Sequence, residues 1–90
     1  MIARDKLDEI RERLDRASPA QWVSYIEGRD HWGGDDVIVT GIGGDRGPDI
    51  EVLGATKDDK DFIAHSRQDV QLLLDEVTRL YDEMDSGGRE

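Results

Sequence analysis

The residues of this 90-residue chain whose types could do chemistry fall into three short stretches. Asp30, His31, Asp35 and Asp36 set one imidazole among carboxylates, the groups that hold a divalent ion or move a proton. Their spacing matches no ligand pattern, and Gly33 and Gly34 leave them unanchored, so a solvated loop explains the same composition. The second stretch, Gly41 to Gly47, begins with Gly-x-Gly, as a dinucleotide-binding turn does. Arg46 stands where the third glycine should be, no helix is expected to follow, and no Gly-Lys-Ser/Thr element occurs anywhere; a glycine-rich hairpin is the expectation. The third is His65, Arg67 and Asp69, of which His65 and Asp69 are four apart and would pair on a helix surface. No nucleophile comes with a base, no carboxylate pair marks a cleft, and no basic stripe offers itself to nucleic acid. The expected chemistry is recognition without an enzyme activity, cofactor or metal.

Charge supports that expectation. The net charge is -10, and residues 1 to 21 contribute nothing to it, because Arg4, Lys6, Arg11, Arg13 and Arg16 balance five carboxylates. An acidic surface repels nucleic acid and anionic membrane, and it speeds the encounter with a basic protein. Trp32, between a histidine and two glycines, is either folded onto a sheet or projected as an interface anchor. With it, Asp35, Asp36, Asp45 and Asp49 make up the expected partner-binding set. With no cysteine there is no disulfide framework and no thiolate metal site, which fits a reducing compartment. The first residues form neither a secretory signal nor a membrane span, and the cytoplasm is the default location.

These residues need elements to position them. Leu7, Ile10, Leu14 and Ala17 recur at helical spacing and predict an N-terminal helix that Ser18-Pro19 ends. Three β-type runs follow: Trp22–Ile26, Val37–Ile42 and Ile50–Leu53, the second apolar on both faces and therefore central. Glu27 to Asp36 reads as a flexible loop, the place to look for recognition. Ile63, Ser66, Val70, Leu73, Leu74, Val77, Leu80, Tyr81 and Met84 then predict one long helix, capped by Thr56 or Asp58 and ended by Ser86-Gly87-Gly88, with Arg89 and Glu90 frayed. The expected fold is a single α+β domain over residues 1–90: helix, three-stranded antiparallel sheet, helix. Both helices would lie on one sheet face; the alternative is a helical hairpin with the sheet as a side layer.

Two segments of the chain are also similar to a known family. The run from Leu7 to Trp22 resembles the opening of the Ead-like proteins of phage and prophage regions, where a helix enters a Thr-Pro-Gly-Pro-Trp type turn. The run from Asp61 to Val77 resembles their Phe-Ile-Ala-His-Ala-Arg-x-Asp-Val-Pro-x-Leu-Leu helix, with His65, Arg67 and Asp69 in place. Ala20-Gln21 stands where Gly-Pro is usual, and Gln71 replaces the proline after Val70. Residues 23 to 57 match nothing in the family. The resemblance implies a small accessory protein of mobile elements and draws attention to His65, Arg67 and Asp69.

The expected function is that of an acidic inhibitor, immunity-like, antitoxin-like or anti-defence. It would occlude a basic target such as a nuclease-type toxin or a defence effector, acting as a monomer or a homodimer. The alternative is a sponge for a small molecule or nucleotide, with His65, Arg67, Asp69 and Arg46 around the ligand.

Overall fold

A computed structural model describes residues 2–87; Gly88, Arg89 and Glu90, expected to end the last helix and fray, lie outside the described residues. The order is α1 (Arg4–Arg16), β1 (Trp22–Tyr25), β2 (Val37–Thr40), a 3-10 turn (Gly43–Asp45), β3 (Ile50–Glu51) and α2 (Lys57–Gly87). This is the expected α+β chain of helix, three-stranded antiparallel sheet and long helix, with β2 in the middle of the sheet. The strands are shorter than their β-type runs. β2 stops at Thr40 because Gly41 takes a positive φ of 80°, and β3 keeps only Ile50 and Glu51 paired with Ile38 and Val37.

The helices divide their work differently from the one-face expectation. A strand of four residues spans about 13 Å, whereas the 31 residues of α2 span about 46 Å, so the sheet covers only part of that helix. The first half of α2 packs on β1, and α1 lies against the second half, which makes the helical hairpin with a side sheet. Leu7 and Leu14 of α1 and Leu74 of α2 form its buried core, with Ile10, Val77 and Tyr81 packed around it. Arg4 pairs with Asp85 and Arg11 with Asp75, which fixes the two helices antiparallel. The dimensions, 62 × 28 × 18 Å, are those of a rod with a sheet on one side.

In the sheet, Ile38 and Thr40 of β2 are buried, and Ser24 of β1, paired with Ile38, bonds to α2. Ala64 of α2 is fully buried too; a methyl in place of a longer side chain lets the helix approach closely. Thr56 and Asp59 cap α2 reciprocally: the Asp59 amide donates to Thr56 Oγ1 at 3.0 Å and the Thr56 amide to Asp59 Oδ2 at 3.2 Å. Gly47 has no room for a side chain, since a Cβ there would sit 2.6 Å from Ser18 Oγ and 2.8 Å from Thr40 Oγ1. The 41–49 connection is therefore pressed onto the α1–β1 turn.

Truncating Leu74, 4% exposed, opens a cavity between the helices, whereas Leu72, 68% exposed, contacts mostly water. In urea titrations Leu74→Ala is expected to lose about 2–4 kcal/mol and Leu72→Ala less than about 0.5 kcal/mol. Equal losses would show that α1 and α2 do not share this core.

Candidate functional site

The first turns of α2 and the end of β1 hold the 27–36 loop through two ionic clusters. In the first, the Arg29 guanidinium forks onto Asp61, with Nη1 donating to Oδ2 at 2.9 Å and Nη2 to Oδ1 at 3.0 Å. Its Nε and Nη2 also reach Asp30 Oδ2 at 3.0 and 2.8 Å. Ser24 Oγ donates to Asp61 at 2.5 Å, and the Ile26 amide donates to Asp30 at 2.9 Å. In the second cluster Lys60 pairs with Asp36, their side chains only 10% and 17% exposed, and the Glu27 amide donates to Asp36 at 2.7 Å. Both ends of the loop are thus fastened. The expected flexible, unanchored loop is corrected on this point: its own charged residues anchor it where glycine content suggested freedom.

Between the fastened ends, Gly28 turns the chain at φ 83°, and the Gly28 amide donates to the His31 carbonyl at 2.8 Å. Trp32 projects from this brace with 82% of its surface exposed. The outer sheet face beside it carries Val23, Tyr25, Val37 and Val39, arranged as the cross-strand pairs Val23–Val39 and Tyr25–Val37. Tyr25, Val37 and Val39 form a shallow depression with His31, Arg46 and Asp49 at its rim. Arg46 and Asp49 pair at 2.6 Å, and the buried Nε2 of His31 has no hydrogen-bond partner. The site can offer a tryptophan and a half-apolar sheet face, but no nucleophile sits next to a base in it. Among the described residues no three metal-ligating side chains come together, and no helix is long and apolar enough to cross a membrane.

The sequence-derived site residues separate accordingly. Trp32 and Asp35 are exposed on the braced loop, while Asp36, its side chain mostly buried, is spent on Lys60 and the Glu27 amide. Asp49 is paired with Arg46, and the Asp45 side chain lies outside the described residues. His65 and Asp69 are exposed on α2. Arg67 turns inward instead: its Nε donates to the Ser18 carbonyl at 3.0 Å, the same oxygen that takes the Trp22 indole N–H at 3.1 Å, and its Nη1 donates to Gln71 at 2.9 Å. Gln68 adds a two-way bond to the Trp22 backbone, accepting from its amide and donating to its carbonyl, each at 3.0 Å. The two segments that carry the family resemblance therefore meet at Ser18 and Trp22. Arg46 and Arg67 line different depressions.

Sequence reasoning missed Arg29, Lys60, Asp61 and Gln68. One signal was available: Ser24 shares an alternation phase with Trp22 and Ile26, so a hydroxyl on the inward face of an otherwise apolar strand needed a polar partner.

No protein-family model, curated protein or solved structure matches the chain.

Hydrogen bonds from Arg29 and then from Ser24 hold the Asp61 carboxyl down at about 2, below its ordinary 3.8. Lys60 and the Glu27 amide lower Asp36 in the same direction, and Arg29 with the Ile26 amide lowers Asp30. A depressed carboxyl contributes stability that is complete above its unfolded value and is lost as pH falls through its folded one. For Asp61 that window runs from about 4 down to about 2. Thermal melts of wild type and Asp61→Asn are expected to differ most above pH 4 and to converge toward pH 2. A constant difference across that range would show that the Asp61 charge is not what the cluster uses.

Proposed function

We propose that the protein is a non-enzymatic binding protein whose Trp32 loop and outer sheet face cover a basic target protein. The target would be a nuclease-type toxin or a defence effector, in keeping with an affiliation to the Ead-like accessory proteins. The observation that carries this reading is a tryptophan 82% exposed on a loop fastened at both ends by charge clusters. A large aromatic left in water costs solubility, and bracing its loop lowers the entropy lost when a partner immobilises it. Anchors of this kind supply most of the binding energy of an interface, with Val23, Tyr25, Val37 and Val39 as surrounding contact area. Glu27, Asp35 and Glu51, in no ion pair among the described residues, add the field that steers a basic partner to this side. The ligand-sponge alternative needs Arg46 and Arg67 around one molecule, and the two side chains line separate depressions.

Affinity capture from the native cells, washed at low and then moderate salt, is expected to retain one basic protein and to lose part of it as salt rises. Titration calorimetry with that protein should then show Trp32→Ala weakened by about 2 kcal/mol or more, roughly 30-fold. An acidic partner, or full affinity in the variant, would sink the reading.

A further inference from the structure

α2 carries more apolar surface than α1 and the sheet cover. Its side facing the sheet is set by Lys60, Asp61 and Gln68, which bond to Asp36, Ser24 and Trp22. Turned away from the sheet runs a second stripe with alternating spacings of four and three. Ile63, Val70, Val77 and Met84 occupy one set of positions and Ser66, Leu73 and Leu80 the other. That is an a/d heptad seam kept for three repeats, with β-branched residues at most a positions and leucine at two of the three d positions, the choice that favours two parallel strands. Most of the seam is open: Leu73 is 66% exposed, and Ile63, Val70, Leu80 and Met84 are exposed as well, while Ser66 is half-buried and Val77 is half-buried against the core shared with α1.

The two borders of the seam differ in charge. Beyond it on α2 come Asp69, Glu76 and Glu83, the g positions, with Arg79 bonded to the two glutamates. On the other side, where a coiled coil has its e positions, lies α1. Ile2, Leu7 and Ile10 line a groove there with Val70, Leu73, Leu74 and Val77, and Arg13 lies beside Ser66 and Val70 in the adjoining depression. Helical spacing puts Lys6 on the same edge of α1 as Arg13, with Glu9 beside them accepting from Lys6 Nζ at 2.8 Å, so two cations there outweigh one carboxylate. One edge of the stripe is net basic and the other net acidic.

We infer that this stripe is the interface of a homodimer in which two copies of α2 run parallel and each α1 lays Lys6 and Arg13 along the partner's acidic border. A twofold axis along the helices puts the seam of one copy on the seam of the other and each basic edge over an acidic one, as an isologous contact requires. An antiparallel pairing would set the acidic borders against each other. The occupant is therefore a second copy of this chain, in one orientation. The Trp32 loop is held by the sheet-facing side of α2, so the dimer leaves it open and the inference is independent of the proposed target.

Sedimentation equilibrium from about 1 μM to about 1 mM is the first test, with a wild-type dimer expected in that range. Leu73→Glu should be monomeric, with a melt that matches the wild type's at concentrations too low for the dimer, since Leu73 is mostly exposed in the single chain. Arg13→Glu and Glu76→Lys should each weaken the dimer, and the two together should restore it. The chain has no cysteine, so Leu80→Cys reports orientation: parallel seams bring Leu80 next to its own copy and give a disulfide-linked dimer on mild oxidation. A monomer throughout, a dimer indifferent to Leu73→Glu, or a dimer that does not cross-link at residue 80 would each overturn the inference.

Discussion

Everything in this protein is arranged along one helix whose length the rest of the chain cannot match. α2 has 31 residues and spans about 46 Å, α1 spans about 20 Å, and the longest strands reach about 13 Å. Neither partner can cover α2 alone. They take different halves, the sheet on the first and α1 on the second, and together they still leave one long side uncovered. The division gives two small cores in place of one: Leu7, Leu14 and Leu74 between the helices, and Ile26, Ile38, Thr40 and Ala64 beneath the sheet.

Cores of that size supply limited apolar burial, and polar contacts fix the geometry between them. The junction is the Ser18 carbonyl, which receives both the Trp22 indole and the Arg67 guanidinium. Gln68 grips the Trp22 backbone like a neighbouring strand, and Asp61 and Lys60 fasten the loop after β1. These bonds come from one side of α2, at residues 60 and 61 and again about two turns later at 67 and 68, so the helix acts as a ruler against which β1 and its loop are set. Lys60 and Asp36 are mostly buried, so removing either partner would leave a charge with little water around it.

The same placement explains why the surface can be acidic without the fold coming apart. Several carboxylates are spent on internal partners: Asp30 and Asp61 on Arg29, Asp36 on Lys60, Asp75 and Asp85 on α1. The neutrality of the N-terminal segment has a structural use, since Arg4 and Arg11 offset acids in the second half of α2. The remaining unpaired acids are free to act at long range, which is the condition for steering a basic partner.

The α+β class, the element order, the central strand and the long helix were all legible in the sequence, because each follows from local periodicity or from chain-breaking residues. Leu7, Ile10 and Leu14 mark a helix wherever they are placed, and Ser18-Pro19 ends it by sterics alone. Trp32 was legible as a candidate anchor, although only the fold could choose between burial and exposure, and it chose exposure. The fates of the charged residues were not legible. Asp35 and Asp36 are neighbours of one type, yet one faces water and the other meets Lys60, 24 residues away. Arg67 stood in the sequence as part of a surface trio and is in the structure a bond to Ser18, 49 residues away. Local periodicity determines what each segment becomes, because backbone sterics and one-dimensional apolar spacing suffice for that. Which charges meet depends on distances between segments, and those exist only once α2 has set α1 and the sheet along its length.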